Sequence, residues 1–339
     1  MPDPISQMNA TTAADMAEMI PEIYSQKVYQ ETLGRMYWTR FSGEEGSGMP
    51  VIVKRELVDQ PGDTIQISQL INLPDDSGVN GEETLMGKEQ KLTPRSVTTT
   101  PDWKRNAVSE THKVKKQITF AFRDKAQIAL GNWMAKKRDS GVWAAALATG
   151  NQGWEKAPIA QVFGGGSSDV NDVDPADVFS VELIRRGVAK LTDNHVARIK
   201  LPDMPDGEGY YLCFVNPWQA YSLRKDPDWI ANYRSAGERG ATNPLFTGAM
   251  GEVAGAIVHE TTQCSAFANA ASPAVTVAGA VMVGAECLCT GEAEDVNWYE
   301  EETDYGFRHG IAISAAWEDL VLSSEGIIQI YTAAVDQTK

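Results

Sequence analysis

The residues able to do chemistry are few and scattered. Four histidines, His112, His195, His259 and His309, stand far apart, and none sits in the H-x-x-H or H-E-x-x-H spacing that puts two imidazoles on one helix face for zinc. Four cysteines, Cys213, Cys264, Cys287 and Cys289, are too few and too irregular for a disulfide framework in 339 residues. Cys287 and Cys289 form a C-x-C with no second half, and a period of two puts both on one face of a strand, where buried, reduced thiols are expected. The acidic run DVNDVDPAD, Asp169 to Asp177, offers oxygens to a hard cation but lacks the glycine and terminal glutamate of a calcium loop. Helix capping by Asp174, with Pro175 at the first helical position, accounts for it better. GGGSS, Gly164 to Ser168, has neither the lysine nor the following Ser or Thr of a phosphate-binding loop, and no G-x-S-x-G elbow occurs. Paired carboxylates for glycoside cleavage stay open in any β-rich acidic chain, but no pair can be placed on one site. The expectation is a protein that is not an enzyme, with no cofactor and no metal.

Composition narrows the partners. The chain carries 46 acidic and 30 basic residues, a formal charge of −16, which argues against tight free binding to nucleic acid because such binding rests on Lys and Arg neutralising phosphates. An acidic wall can still enclose DNA. The amino terminus, MPDPISQMNATTAADMAEMI, lacks a signal peptide's basic and apolar regions, and no run approaches the ~18 apolar residues of a membrane span, so a cytosolic chain with no membrane partner is expected.

The elements that must position these residues are legible in outline. Glu22 to Phe41 carries an imperfect helical stripe, Ile23, Val28, Leu33, Met36 and Tyr37, behind Pro21. VIVKREL (Val51 to Leu57) and TIQISQL (Thr64 to Leu70) flank DQPGD and read as two strands joined by a Pro-Gly turn. After them LPDDSGVNGEETLMGKEQKL, Leu73 to Leu92, is far longer than the ~4–6 residues of an ordinary connection. RSVTTTPDWKRNAVSE then returns, so Val51 to Val108 reads as a long β-rich excursion with little apolar surface for a core: an arm rather than a domain. The strongest helix follows, with Phe122, Ala126, Ala129, Leu130, Trp133 and Met134 on one face and Gly131 and Gly141 weakening it by about 1 kcal/mol each relative to Ala. Lys113, Lys115 and Lys116 before it and Lys136, Lys137 and Arg138 within it make one basic stripe. That stripe reads as a solvated face with partners such as Asp139, or alternatively as a contact with an acidic neighbouring subunit or packaged nucleic acid. A second helix is expected from Asp174 onward with Phe179, Leu183, Val188 and Leu191 inward, then a strand YLCFV, short helices around Trp218 and Trp229, a glycine-spaced stretch and a β-rich end. The tryptophans, from Trp103 to Trp317, show no stacking motif and read as core or interface anchors.

The order of these parts, more than any single motif, resembles the major capsid proteins of tailed phages with the Hong Kong 97 fold, nearest the coliphage N-four type. The resemblance is carried by LPDDSGVNGEETLMGKEQKL, with Leu73, Gly78, Val79, Gly81, Gly87 and Glu89; by CFVNPWQAYSLRKDPDW, with Phe214, Val215, Asn216, Pro217, Leu223, Asp226 and Trp229; by NPLFTGAMGEVAGAIVHE, with Asn243, Pro244, Gly248, Gly251 and Gly255; and by VMVGAECLCTGEAEDVNWYEEETDYGFRHGIAI. Together these blocks span about Ile20 to Tyr331.

The resemblance implies an α+β fold divided into an amino-terminal arm (1–44), an extended loop (45–110), a peripheral domain with a long spine helix (111–179 and 286–322) and an axial domain (180–285 and 323–339). It implies that the extended loop, at Leu73, Asp75, Asp76, Gly78, Gly81, Gly87, Lys88 and Glu89, lies across a neighbouring subunit, while Asn216, Pro217, Asn243, Pro244, Gly248 and Gly251 belong to the axial domain. The function implied is a structural one, self-assembly into hexamers and pentamers of an icosahedral shell that encloses double-stranded DNA without reading its sequence. The partners implied are other copies of the chain, a separate scaffolding protein, a portal and a decoration protein; the location is the virion, with assembly in the host bacterial cytoplasm. An encapsulin-like cellular compartment, a β-rich soluble hydrolase and a phage tail or decoration protein are the competing readings. Some relatives join a loop Lys to an Asn, and Lys88, Lys91, Asn72 and Asn80 are available here, but nothing places them against partners. No such cross-link is expected, so mature particles boiled in reductant and denaturant should run as single chains; a covalent ladder would overturn this.

Overall fold

The computed structural model describes residues 36–58, 62–71, 73, 78–117, 122–200, 209–236, 249–264, 266–271 and 274–334. The stripe expected from Glu22 lies almost wholly outside them, and at its end Trp38–Phe41 forms a single 3-10 turn.

One sheet is built from β1 (Ser42–Gly43), β2 (Val51–Lys54), β5 (Asp102–Thr111), β14 (Leu288–Thr303) and β15 (Arg308–Val321), in the order β1-β2-β14-β15-β5. Its spine is a long antiparallel hairpin, paired from Leu288 opposite Val321 out to Thr303 opposite Arg308. The expected β2 hairpin does not form. β2 runs parallel to β14, Val51 opposite Leu288, whereas β3 (Ile65–Leu70) pairs antiparallel with β4 (Pro94–Thr99) as a separate two-stranded ribbon. The reason lies in burial. Val51 and Ile52 are adjacent and both buried, the pattern of a strand covered on both faces, while Ile65 and Ile67 alternate with exposed Gln66 and Ser68, the pattern of a strand covered on one. The local Pro-Gly signal, whose Pro61 lies outside the described residues, says nothing about which strands pair.

The other sheet holds β8 (Ala160–Phe163), β9 (Tyr211–Val215), β10 (Ala249–Val253), β11 (Ala256–Glu260), β13 (Thr276–Val283) and β16 (Ile327–Ala333), in the order β10-β11-β9-β13-β16-β8, with β12 (Ala266–Ala268) on β13. Every residue of β9 and β16 is buried, as their unbroken apolar runs require. A small ribbon of β6 (Asn151–Gln152) and β7 (Ala157–Pro158) leads into it.

Helix α1 (His112–Gln117) is wholly exposed, and α2 (Phe122–Ala146) is the long helix expected. Ala126, Leu130 and Met134 of its expected face pack with Trp298, Ile313 and Trp317 of the β14–β15 hairpin, whereas Ala129 is exposed. The basic stripe also needs correction. Lys136 and Lys137 face solvent, but Arg138 and Asp139 are buried, because over its second half the helix is covered by the arm entry and both sheets. Helix α3 (Val181–Asp193) starts seven residues after Asp174, the cap expected, with Ser180 at the N-cap position. Its first amide, on Val181, donates to Asp226 Oδ2 at 2.9 Å, and Asp174 instead turns its own amide to Asp177 Oδ2 at 2.9 Å. The carboxylate that caps the helix comes from 45 residues away, so no local motif announces it. Helices α4 (Pro217–Lys225) and α5 (Pro227–Ala236) cover the second sheet, α4 opening on a capping box between Asn216 and Gln219.

Gly141 shows how closely these layers approach. A Cβ at that position would lie 2.0 Å from Asp319 Oδ2 of β15, a carboxylate that is itself held by the Thr290 hydroxyl at 2.6 Å. Gly141→Ala should therefore destabilise the chain by roughly 1–3 kcal/mol through overpacking, although helix propensity alone favours Ala by about 1 kcal/mol. Denaturant melts of the two proteins give the sign directly.

Candidate assembly surfaces

Two structures leave the packed body. The first is the β3–β4 ribbon and the loop beyond it. Its root is buried: Ile65 and Ile67 pack with Ile52, Cys289 and Leu322. Beyond Leu70 the chain has almost no contacts of its own; one backbone bond from Ile71 N to Thr93 O closes the base, and residues 80–94 are all exposed. Leu70, Leu85, Met86 and Leu92 are exposed by 59%, 55%, 85% and 58%, an apolar load that a self-contained loop would not carry. The tip is nevertheless shaped. Lys88 N donates to Leu85 O at 3.0 Å across Gly87, whose φ of 84° suits glycine, and Glu89 accepts the Gly87 amide at 2.8 Å. Lys88 pairs with Glu83 at 2.6 Å.

The ribbon is latched to the body by ion pairs. Arg95 of β4 reaches Glu155 at 3.4 Å, lies 5.3 Å above the Trp154 ring and donates to Gln69. Glu155 is fixed in turn by the Ser324 amide at 2.9 Å and the Ser323 hydroxyl at 3.0 Å. On the other side Arg55 forms an ion pair with Glu292 at 3.1 Å and another with Asp295, both on β14. Glu292 meets a second cation, Arg138 of α2, in a pair that is almost wholly buried, with the guanidinium 4.8 Å from the Trp317 ring. Beside it burial pushes the Asp319 carboxyl up to about 6, against the Thr290 hydrogen bond and the charge of Arg138.

Asp139, next along the helix, takes the amides of Tyr37 at 2.9 Å and Trp38 at 3.3 Å. Burial raises its carboxyl pKa while those amides oppose the shift. The arm entry is thus tied to the long helix.

The second protrusion is the far end of the β14–β15 hairpin. Asp304, Tyr305 and Gly306 turn with φ of 57°, 56° and 82°, leaving Tyr305 fully exposed and Phe307 about half exposed beside Glu301 and Glu302.

Of the loop positions singled out in the sequence, Leu73, Gly78, Gly81, Gly87, Lys88 and Glu89 are all exposed, and Asp75 and Asp76 lie outside the described residues. Asn216 caps α4 and Pro217 is its first residue. Gly251 lies against the Trp229 ring, 3.2 Å from where a Cβ would stand, and Asn243, Pro244 and Gly248 lie outside the described set. The four thiols are buried and unpaired, and burial holds those of Cys213, Cys287 and Cys289 at about 12. GGGSS wraps a carboxylate of its own chain, Ser167 Oγ donating to Asp177 at 2.9 Å. Among the described residues no cluster of His, Cys, Asp and Glu is arranged to hold a metal ion, and no helix is long and apolar enough to cross a membrane. Sequence reasoning did not find Arg55, Arg95, Glu155 or Asp319, nor Gln329, whose amide donates to Ala146 O and Ala148 O at 3.1 Å and pins the end of α2 to β16. The partners given above for them are 26 or more residues away, and the sequence carries no signal for such pairs.

A family model described as phage capsid protein matches residues 6–317. The major capsid protein of Pseudomonas phage KPP25 is 25% identical over 384 residues, spanning 98% of this chain and 100% of that protein. Among solved structures, the capsid of Ralstonia phage GP4 matches with a TM-score of 0.72 at 22% identity, covering 89% of this chain and 92% of that one. The cyanophage Pam1 capsid asymmetric unit matches at 0.74 and 16% identity, covering 90% and 94%. The head structure of Helicobacter pylori bacteriophage KHP40 matches at 0.66 and 12%, covering 88% and 92%. These three share its mixed α+β fold.

The raised Asp319 pKa gives the isolated chain a pH signature. The folded state keeps a proton on Asp319 up to about 6, whereas the unfolded chain releases it near the ordinary aspartate value of 3.8. Its contribution is therefore full below the lower value and lost as pH rises through the upper one, by roughly 2–3 kcal/mol at most. Asp319→Asn should flatten that part of the stability curve between about pH 4 and 6 and match or exceed the parent at pH 7. Paired urea melts across this range, showing parallel curves for the two proteins, would refute the assignment.

Proposed function

The chain belongs to the phage capsid protein family, and from that premise we propose how it builds a shell. It is a major capsid protein of a tailed phage, a structural component of the icosahedral head and not an enzyme. The finer reading is the Hong Kong 97 fold in its coliphage N-four form. In it, the sheet of β2, β14, β15 and β5 with α2 serves as the peripheral domain, the sheet around β9, β13 and β16 as the axial domain, and the ribbon with its loop as the extended loop. The observation that carries this reading is the extended loop itself: a latched, buried root bearing a tip with exposed Leu85, Met86 and Leu92. Covering each such side chain contributes about 1.5–3 kcal/mol, and the reading assigns that cover to another subunit.

Assembly then follows from contacts that are heterologous. One copy's loop lies on the next copy, and rings of five and six close when the rotation fits. The loop residues Leu73, Asp75, Asp76, Gly78, Gly81, Gly87, Lys88 and Glu89 form one side of that contact. Asn216 with Pro217, and Asn243, Pro244, Gly248 and Gly251, serve the axial domain near the ring centre. A separate scaffolding protein and a portal organise assembly in the host cytoplasm, and a decoration protein binds the finished head. Double-stranded DNA is enclosed without sequence readout, and the net charge of −16 suits a wall that must not hold it fast. During packaging the body shifts as a rigid unit while the loop and arm change angle about their roots.

Excising the loop separates folding from assembly. Leu70 and Pro94 are directly opposite in the ribbon, so a two-residue Asn-Gly turn can join them. Electron microscopy of the parent chain, expressed with the head proteins of its source, should show closed icosahedral particles. The excised chain should keep its circular dichroism and melting profile but give no closed shells. Shells in undiminished yield from the excised chain would remove the loop from the assembly contact.

A further inference from the structure

The exposed face of the β14–β15–β5 sheet, opposite α2, holds a trough of about 950 Å³. Register explains its shape. On the central strand β15 the residues on this face are small, Ala312, Ser314 and Ala316, while β5 contributes Trp103 and Arg105 opposite Ala316 and Ser314, and β14 contributes Tyr299 opposite Ala312. Two rings, each 53% exposed, thus straddle a low floor. With strands about 4.8 Å apart they stand roughly 10 Å apart across the sheet and about 13 Å along it, room for an extended segment of about four residues.

Among the described residues, two polar groups in the trough lack partners. Ser314 is 3% exposed, yet its hydroxyl makes no hydrogen bond. Arg105 is exposed and its guanidinium has no ion pair among the described residues, in a chain with a large excess of carboxylates. A buried hydroxyl and an idle cation between two aromatic rings describe a seat waiting for a segment that is apolar, acidic and extended.

The loop tip has that chemistry. Leu85 and Met86 are its exposed apolar residues, and Glu82, three positions before Leu85, is the tip carboxylate left over once Glu83 takes Lys88 and Glu89 takes the Gly87 amide. The tip is not among the residues that line its own chain's trough. Thr99, at the ribbon's root, is only four residues from Trp103, whereas the tip stands beyond six paired residues, roughly 20 Å further out. We propose that the trough formed by Trp103, Arg105, Tyr299, Ala312 and Ser314 receives residues 82–86 of a second copy, with Met86 between the two rings and Glu82 on Arg105. This rests on the shell reading above and specifies the contact within it.

The test is a disulfide between copies. Met86→Cys and Ala312→Cys are introduced together; the native thiols are buried and do not compete. Shells of the double variant, mildly oxidised and run on a non-reducing denaturing gel, should show a ladder of covalent oligomers that collapses with reductant and is absent from either single variant. Intact shells that yield only monomer bands overturn the proposal while leaving the shell reading standing; failure of the parent chain to assemble would overturn that reading instead. A charge exchange gives an independent result. Arg105→Glu should lower shell yield at least tenfold, and adding Glu82→Arg should restore it to within about twofold. Parental yield from Arg105→Glu alone, or absence of rescue, overturns the assignment.

Discussion

The structure depends on one aromatic junction. Trp38, Trp143 and Phe214 meet with ring centroids 4.8 to 5.2 Å apart, and Phe41 lies against Phe214 at 5.7 Å. They come from the arm entry, the last turns of α2 and the middle of β9, and the same core includes Val51, Leu288 and Val321 of one sheet and Val281, Val283 and Ile327 of the other. Rings of this size bury large areas in fixed geometry, so the junction welds both sheets and the long helix into one body. Asp139 completes it by holding the Tyr37 and Trp38 amides, which would otherwise be left without partners where the arm enters.

Once the body is fixed, the remaining freedom lies where apolar packing thins out. The ribbon's root rests on a small core, and its orientation is set by charged contacts: Arg95 with Glu155 on one side, Arg55 with Glu292 and Asp295 on the other. Partly exposed ion pairs hold direction at modest free energy and tolerate rearrangement better than packed side chains do. The Arg138–Glu292 pair is different in kind. Buried, it adds little to stability over an apolar replacement, but either charge left alone would be costly, so it ties the register of α2 to that of β14.

A shell subunit must satisfy two opposite demands, a body stable alone and surfaces that are incomplete alone. This chain separates them in space. The free thiols and the carboxylates that suggest chemistry are absorbed by the body, as when GGGSS wraps Asp177 or Asp226 caps α3. The incompleteness is concentrated on the loop tip, the Tyr305 turn and the trough between Trp103 and Tyr299. Binding of this kind needs no reactive group, which is why a search for catalytic motifs in the sequence returns nothing.

The long helix, the apolar strand YLCFV, the short helices around Trp218 and Trp229 and the unusual length of the loop could be read from the sequence, because each rests on local periodicity or an unusual length of polar chain. The order of those parts was enough to reveal the family resemblance. What the sequence could not supply was pairing across distance. Val51 joins Leu288 rather than the nearby Ile65, Arg138 leaves the basic stripe for Glu292, and Asp226 displaces Asp174 as the cap of α3. In each case the local signal was satisfied by more than one arrangement, and the choice was made by packing and charge pairing between residues distant in sequence. That is a property of the whole packed chain, and it is decided only when the chain folds.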